Sequence, residues 1–395
     1  MLITGGRVIV GSGTYLEDGA VLVKDGLIAA VGPRKEVEEQ AGADTPRFAF
    51  DGTIMPGLID AHVHLVFDGS PDPVAGLQTS TDEVLLEDMR HRAEQLLRSG
   101  VTTARDLGDR GGLVLRLAAE ISEGRTLGPR IVSAGTPVTT VGGHCHFLGG
   151  EIAGEAEARD LVRRNLAAGA GVIKAMVTGG GLTKDGPKSH ESQFTKEELG
   201  ALVDEAHRAG VPVAAHAHGA DGIAAAVEAG VDTIEHCTWM TGGGLDFRQD
   251  VVQQIIDRGI AVCPAVSPHW QMLPRIFGEE RAAAMFDMVR RMADAGVRLV
   301  AGTDAGVQRA GFDGLVPALS FYAHLGLTPA AIIDMATSEA ATALGLDTTT
   351  GRITPGHRAD LLLVNGDPLS DLGALKNVRA VFVGGEHYEP TSAAE

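Results

Sequence analysis

The sequence predicts an α/β fold, a parallel (β/α)8 TIM barrel, joined to a small β-sandwich domain formed by both termini. Eight short apolar runs rich in β-branched residues alternate with amphipathic helical stretches. Polar side chains close several of these runs, and both chain ends are predicted to form short strands. The eight runs are 57–64, 101–107, 130–134, 172–177, 211–216, 233–236, 260–265 and 299–303.

An open doubly wound sheet is the alternative fold. We disfavour it because no predicted strand is followed by G-x-G-x-x-G or by a Walker A loop. Three glycines at 179–181 follow a strand but lack the rest of either motif.

The predicted domain boundaries follow from the short strands predicted at the two ends of the chain. Residues 1–54 and 353–395 form short strands with turn residues between them, and neither set is long enough to close a core alone. We therefore expect them to combine into one β-sandwich domain, with residues 55–352 forming the barrel. Helix starts are predicted by capping boxes at Ser80-x-x-Glu83 and Thr195-x-x-Glu198, and by Thr328-Pro329.

Composition narrows the function classes. The chain has 395 residues, 44% of them hydrophobic, and a net charge of −19, which argues against nucleic acid and anionic membranes as partners. Its three cysteines are far apart in sequence, and it shows no signal peptide and no apolar stretch of membrane-spanning length. We predict a cytoplasmic protein with a small-molecule substrate, and the sequence leaves a homo-oligomer open.

The residues at the strand ends predict a metal site. His62 and His64 alternate at the end of the first run, so both imidazoles point to the same side of the strand. Later runs end in further polar residues, and in a TIM barrel all of these ends meet at one face. The other polar residues found there are Lys174, His216, His218, His236 and Asp304.

The motifs PGLIDAHVH, IEHCT, GTDAG and GRITPGHRADLLLVNGDP resemble the amidohydrolase superfamily, close to its imidazolonepropionase-like and prolidase-like branch. The resemblance spans nearly the whole chain and implies a barrel with a β-sandwich built from both termini. It also implies a binuclear metal site with a carboxylated lysine that bridges the two ions. The implied ligands are His62 and His64 for the first ion, His216 and His236 for the second, Lys174 between them, and Asp304 on the first ion as the proton acceptor.

This site predicts hydrolysis of a C–N bond. Two adjacent divalent ions can hold a hydroxide between them and polarise a carbonyl, and Zn2+, Mn2+, Co2+ and Fe2+ all suit these ligands, with Zn2+ preferred. We expect an amide of a small molecule, such as an N-acyl amino acid or a dipeptide. The alternatives are a urea, carbamate or cyclic amide hydrolase using the same site, a deaminase, and a non-catalytic binding relative.

Substrate contacts are predicted from the loops that follow the strands. His144 follows two glycines in GGHCHFLGG and is expected to donate a hydrogen bond to the scissile carbonyl, with His146 as the next candidate. Lys188, His190 and Arg309 are candidates for binding an anionic group, His218 is expected to be structural, and 267–278 is a candidate lid. Some prolidase-like relatives have Gly-Gly-His-Gly-Asp after the third strand, and relatives often have Tyr at the position of Phe194, so dipeptide specificity is not inferred.

Overall fold

The computed structural model describes residues 1–389, which form a mixed α/β fold. The strands are β1 (Leu2–Gly11), β2 (Thr14–Lys24), β3 (Leu27–Pro33), β4 (Arg47–Ala49), β5 (Thr53–Pro56), β6 (Leu58–Val63), β7 (Val101–Asp106), β8 (Arg130–Ser133), β9 (Thr139–Thr140), β10 (Glu151–Ile152), β11 (Ile173–Met176), β12 (Val213–Gly219), β13 (Thr233–Met240), β14 (Ala261–Cys263), β15 (Leu361–Val364), β16 (Val378–Val383) and β17 (Glu386–Tyr388).

The helices alternate with most of the central strands. They are α1 (Arg34–Glu38), α2 (Pro73–Thr79), α3 (Asp82–Arg98), α4 (Leu113–Ser122), α5 (Glu155–Ala167), α6 (Lys196–Arg208), α7 (Ala220–Ala229), α8 (Gln249–Asp257), α9 (Leu273–Phe277), α10 (Glu279–Ala295), α11 (Leu315–His324), α12 (Pro329–Met335) and α13 (Ser338–Ala343). Within residues 1–389, no helix combines the length and apolar character needed to cross a membrane.

Strands from the two ends of the chain share one sheet. Its order is β17-β16-β15-β5-β1-β2-β3, and β4 pairs with β1. The central β5 pairs antiparallel with β15 and parallel with β1, so the two ends meet at this strand. Buried apolar residues from both ends pack in one cluster that includes Ile3, Val21, Ile54, Leu361 and Phe382. The two termini therefore combine as expected, while the sandwich packing and the domain boundaries stay predictions.

The central strands form two parallel sheets. Their orders are β6-β7-β8 and β11-β12-β13-β14. Each predicted run except the last overlaps one of these strands. The last run, 299–303, is not an assigned strand, although Leu299 and Ala305 form isolated parallel bridges to Val262 and Val63.

Backbone hydrogen bonds join the two parallel sheets on both sides. On one side the Ala61 N–H donates to the Ala301 carbonyl at 2.9 Å, within the segment that lies between β6 and β14. On the other side the Gly171 N–H donates to the Ser133 carbonyl at 3.0 Å, and the Val138 N–H to that of Lys174 at 2.8 Å. The carboxyl ends of β6, β11, β12 and β13 therefore lie at one face, where the predicted site residues stand.

Two of the three predicted helix starts are confirmed. The capping box at Thr195 and Glu198 is complete at the start of α6, and Thr328 caps α12 through the Ala331 N–H. The prediction for α3 was one residue early, because Ser80 is the C-cap of α2 and the Thr81 hydroxyl accepts from the Val84 N–H instead. The buried face of α3 matches the predicted stripe, with Leu85, Met89, Ala93, Leu96 and Leu97 inside.

Candidate metal centre and active site

His62 and His64 present their imidazoles side by side at the end of β6. Both are buried, and their ring centroids are 5.3 Å apart. Nδ1 of His62 lies 2.8 Å from Oε2 of Glu235, and Nδ1 of His64 lies 3.1 Å from the Gly108 carbonyl. Because a carboxylate and a carbonyl only accept hydrogen bonds, each Nδ1 carries a proton, which leaves Nε2, on the side of Asp304, as the nitrogen available to a metal ion. Both rings can therefore bind a metal ion through Nε2.

Asp304 faces these two nitrogens. Its Oδ1 lies 3.2 Å from Nε2 of His62 and 3.5 Å from Nε2 of His64. Burial opposes ionisation of Asp304, but His62, His64 and Lys174 hold its pKa below the usual range. Its side chain is 21% exposed, more than either histidine, so the carboxylate borders both the histidines and the open side of the site.

A second group of histidines lies across from the first. The ring centroid of His236 is 5.2 Å from that of His62 and 4.7 Å from that of His216. Nε2 of His216 lies 3.0 Å from the Gly179 carbonyl, so Nε2 carries the proton and Nδ1 is free to bind a metal. One potential ligand atom from each of His62, His236 and Asp304 lies within 4.8 Å of the others.

His218, which was expected to be structural, lies in the same group of histidines. Its ring stacks on His236 with centroids 4.4 Å apart, and its ligand atom lies within 4.8 Å of those of His216 and His236. The Thr238 hydroxyl bonds to the His218 carbonyl and also meets His218 Nδ1 at 3.0 Å. Because the Thr238 hydroxyl donates its proton to the His218 carbonyl, Nδ1 of His218 donates to the Thr238 oxygen. Nε2 of His218 is therefore unprotonated.

Lys174 is buried among these ligands without a hydrogen-bond partner. Its side chain is 1% exposed, and no group within residues 1–389 hydrogen-bonds to Nζ. Burial lowers the lysine pKa even though Glu235 and Asp304 raise it. An unpaired buried amine normally costs about 1–3 kcal/mol, so its presence favours a further group at this position. A carbamate on Nζ fits this environment. The imidazole and carboxylate donors around it suit the two metal ions that such a carbamate would bind.

Two buried residues that support the site were not predicted from the sequence. Glu235 accepts from His62 and also from Nη2 of Arg105 at 2.8 Å. Arg105 further donates to the Ala61 carbonyl at 2.7 Å and to the Thr233 hydroxyl at 2.9 Å. Burial would raise the pKa of Glu235, but Arg105 and His62 hold it below the usual range. The available signal was a charged residue inside each of the apolar runs 101–107 and 233–236.

Asp60 fixes the turn that carries Asp304. Its carboxylate accepts from the Thr303 N–H at 3.1 Å and from the Thr303 hydroxyl at 2.6 Å. These bonds replace part of a regular strand ladder, and Asp304 itself has φ of 59°. These contacts mark the turn at which the eighth run ends and Asp304 begins to face the histidines. Burial raises the pKa of Asp60 to about 6, against the hydrogen bonds from Thr303 and the His62 N–H.

His144 lies next to the second group of histidines. Its ring centroid is 4.7 Å from that of His216, and its side chain is buried. Burial, with His218 and Lys174 nearby, lowers the pKa of His144 to about 3, so the ring is neutral near pH 7. The structure thus places His144 beside His216, one of the proposed metal ligands, and its contact with substrate stays a prediction.

The weaker substrate candidates differ in burial and in surroundings. His146 is half-buried and borders a cavity of about 400 Å³ whose other lining residues include Phe147, Leu182 and Lys184. His190 is half-buried beside Gly242, and Arg309 is exposed. Their roles stay predictions, as does that of the exposed Lys188.

The candidate lid at 267–278 contains a 3-10 helix, Trp270–Met272, followed by α9. Trp270 is buried and donates through Nε1 to the Ser320 hydroxyl at 3.0 Å, which ties the start of the segment to α11. Met272, Ile276 and Phe277 are exposed. Whether the segment closes over substrate stays a prediction.

Comparison with known proteins defines the class. Residues 53–387 match the Amidohydrolase family, and residues 19–42 match the imidazolonepropionase-like composite domain of bacteria. Because the first match spans most of the chain, the chain belongs to the amidohydrolase family. The resemblance to its imidazolonepropionase-like and prolidase-like branch is confirmed.

Individual relatives cover nearly the full length. Ochratoxinase of Aspergillus niger is 27% identical over 422 residues, covering 96% of this chain and 84% of that protein. Imidazolonepropionase of Salinispora arenicola (strain CNS-205) is 28% identical over 379 residues, covering 88% and 86%. The crystal structure of a Xaa-Pro dipeptidase with bound methionine has a TM-score of 0.87 at 29% identity, covering 98% of this chain and 99% of that one.

Proposed function

We propose that this protein is a binuclear metal-dependent amidohydrolase that cleaves the C–N amide bond of a small molecule, such as an N-acyl amino acid or a dipeptide. The observation that carries the proposal is the unpaired amine of Lys174, buried among imidazole and carboxylate donors. The similarity to ochratoxinase and to a Xaa-Pro dipeptidase supports the choice of an amide substrate.

The proposed ligand set divides into two groups around Lys174. His62, His64 and Asp304 would hold one ion, His216 and His236 the other, and a carboxylated Lys174 would bridge them. Divalent ions bound there would lower the pKa of water and polarise the substrate carbonyl. Zn2+ suits this mixture of imidazole and carboxylate ligands, and Mn2+, Co2+ and Fe2+ are the alternatives.

The protein groups would then carry the proton transfers. Asp304 would accept the proton from the attacking water and deliver it to the leaving nitrogen, since its low pKa keeps it ionised before the reaction. His144, neutral near pH 7, would donate a hydrogen bond to the carbonyl oxygen as negative charge develops on it. Both residues border the same group of rings, through His62 and His216 respectively.

The proposal includes a closed TIM barrel as the scaffold. The two parallel sheets and the segment 299–305 would form one ring, supported by the backbone hydrogen bonds that join the sheets on both sides. In such a ring all strand ends meet at one face, which accounts for the convergence of ligands from four strands and the segment after Thr303.

The free, buried cysteines Cys145, Cys237 and Cys263 support a cytoplasmic location.

A cyclic amide is the second candidate substrate. The match at residues 19–42 and the similarity to imidazolonepropionase favour it. Ureas and carbamates would use the same ligand set. The presence of every predicted ligand argues against a non-catalytic binding relative, and the buried lysine argues against a deaminase with one metal ion.

A substrate panel with metal analysis tests the proposal. Purified protein loaded with Zn2+, Mn2+ or Co2+ would be assayed on N-acyl amino acids, Xaa-Pro dipeptides, cyclic amides, carbamates and ureas. We expect two ions per chain and hydrolysis of an amide, with Lys174→Ala as the control for contaminating hydrolases. Full activity with one ion or none would contradict the binuclear site, and turnover of ureas or carbamates alone would replace the amide assignment.

A further inference from the structure

The Thr183 hydroxyl is placed so that its proton has one acceptor. Thr183 lies on the loop after β11 and is buried. Its Oγ1 accepts from the Cys145 N–H at 2.8 Å and lies 3.2 Å from Nδ1 of His144. Within residues 1–389 these are its hydrogen-bond partners. The hydroxyl proton therefore goes to Nδ1 of His144, because a buried hydroxyl proton without an acceptor is unfavourable.

This hydrogen bond decides the tautomer of His144. A neutral imidazole that accepts at Nδ1 carries its proton on Nε2. Nε2 of His144 lies 3.5 Å from the Cys145 thiol, and sulfur is a weak acceptor. The Nε2–H group thus has only a weak partner, which a substrate oxygen can replace.

The opposite tautomer would satisfy the loop less well. If Nδ1 carried the proton, the Thr183 oxygen would receive N–H groups from both His144 and Cys145, and the hydroxyl proton would have no acceptor. Neighbouring groups also hold the ring in place. The backbone N–H of His144 donates to Oε1 of Gln193 at 2.6 Å. A Cβ on residue 180 would lie 2.4 Å from Nε2 of His144, so glycine is required there for the ring to keep its position.

We propose that Thr183 is a positioning residue that fixes His144 as an Nε2–H donor for the substrate carbonyl oxygen. The inference rests on the proposed function, in which His144 assists amide hydrolysis. When substrate binds, the weak contact between Nε2–H and the Cys145 sulfur is exchanged for an N–H to oxygen bond that strengthens as the oxyanion forms. Substrate binding then requires no rearrangement of the ring, because Thr183 has already selected the tautomer.

Nitrogen NMR of the Zn2+-loaded protein tests the tautomer directly. Histidine labelled with ¹⁵N in the ring reports which nitrogen is protonated, and the spectrum of His144→Gln identifies the signals that belong to His144. We expect the Nε2–H form in the wild type and in Thr183→Ser, which keeps the hydroxyl, and a shift toward the Nδ1–H form in Thr183→Val. A wild-type signal of the Nδ1–H form, or a Thr183→Val signal unchanged from wild type, would overturn the inference.

Kinetics with the same variants test the role in turnover. We expect Thr183→Val to bind both ions and to lose roughly tenfold in kcat, the effect of one hydrogen bond, while Thr183→Ser stays near the wild type. Equal losses in Thr183→Val and Thr183→Ser would overturn the role of the hydroxyl proton. If the wild type hydrolyses no C–N substrate, the proposed function fails together with the carbonyl contact, whereas the NMR result still decides whether Thr183 selects the tautomer.

Discussion

Oε2 of Glu235 lies 2.8 Å from Nδ1 of His62, and both side chains are almost fully buried. The other oxygen of Glu235 is held by Arg105 and Thr233, so the carboxylate cannot turn away from the histidine. A carboxylate in this position orients a metal-binding imidazole and makes its free nitrogen more basic. The pair of Glu235 and His62 therefore links the buried Arg105 to the proposed metal centre.

Replacing Glu235 with glutamine should weaken metal binding. Glu235→Gln removes the charge that holds the His62 Nδ1 proton and leaves Arg105 buried without its counter-ion. We expect metal affinity to fall by about 10–100-fold and the melting temperature to drop. Affinity is measured by competition with a chelator, and Glu228→Gln, an exposed carboxylate on α7, is the matched control. Wild-type affinity in Glu235→Gln would show that the carboxylate does not support the site.

Reconstitution of the two-metal centre should depend on carbon dioxide. Burial lowers the pKa of Lys174, which favours the neutral amine that forms a carbamate over the charged one. Metal-free protein given Zn2+ in CO2-free buffer should regain less activity and bind fewer ions than the same protein given Zn2+ with bicarbonate. Lys174→Ala should lose both activity and the bicarbonate effect, whereas Lys24→Ala, at an exposed lysine on β2, should keep them. A reconstitution insensitive to bicarbonate would argue against carboxylation.

The residues predicted to bind metal attracted attention because each is a polar residue in an otherwise apolar run. The structure places His62 on β6, Lys174 on β11, His216 on β12 and His236 on β13, and brings their side chains together, while their role as ligands stays a prediction. The pairing of the two chain ends was predicted from the short strands in both of them. It is confirmed because β5 pairs with β1 on one side and with β15 on the other.

Contacts between distant segments could not be predicted in the same way. Arg105 and Glu235 are separated by 130 residues, and their pairing depends on how β7 and β13 face one another across the interior. Thr183 and His144 meet because two loops fold together, which no periodicity records. The hydrogen bonds between Asp60 and Thr303 likewise join residues 243 positions apart, so the sequence does not show them.

Removing the His144 imidazole should impair turnover without removing metal. The ring is next to His216, but its Nδ1 is occupied by Thr183 and its Nε2 faces the Cys145 thiol. We expect His144→Ala to keep two ions and to lose about 10²–10³ in kcat, the usual effect of losing one oxyanion donor. Elemental analysis and steady-state kinetics measure the two quantities. Loss of an ion would instead identify His144 as a ligand, and normal turnover with a lower melting temperature would identify it as structural.

Replacing Asp304 with asparagine should separate proton transfer from folding. The substitution keeps the size of the side chain and an oxygen near His62 and His64, but asparagine cannot accept the proton from water. We expect turnover to fall by about 10² or more, with a melting temperature close to that of the wild type. Asp313→Asn, at an exposed carboxylate, is the matched control. Metal content is measured on each sample, because a variant that binds two ions and still turns over near the wild-type rate would exclude Asp304 as the proton acceptor.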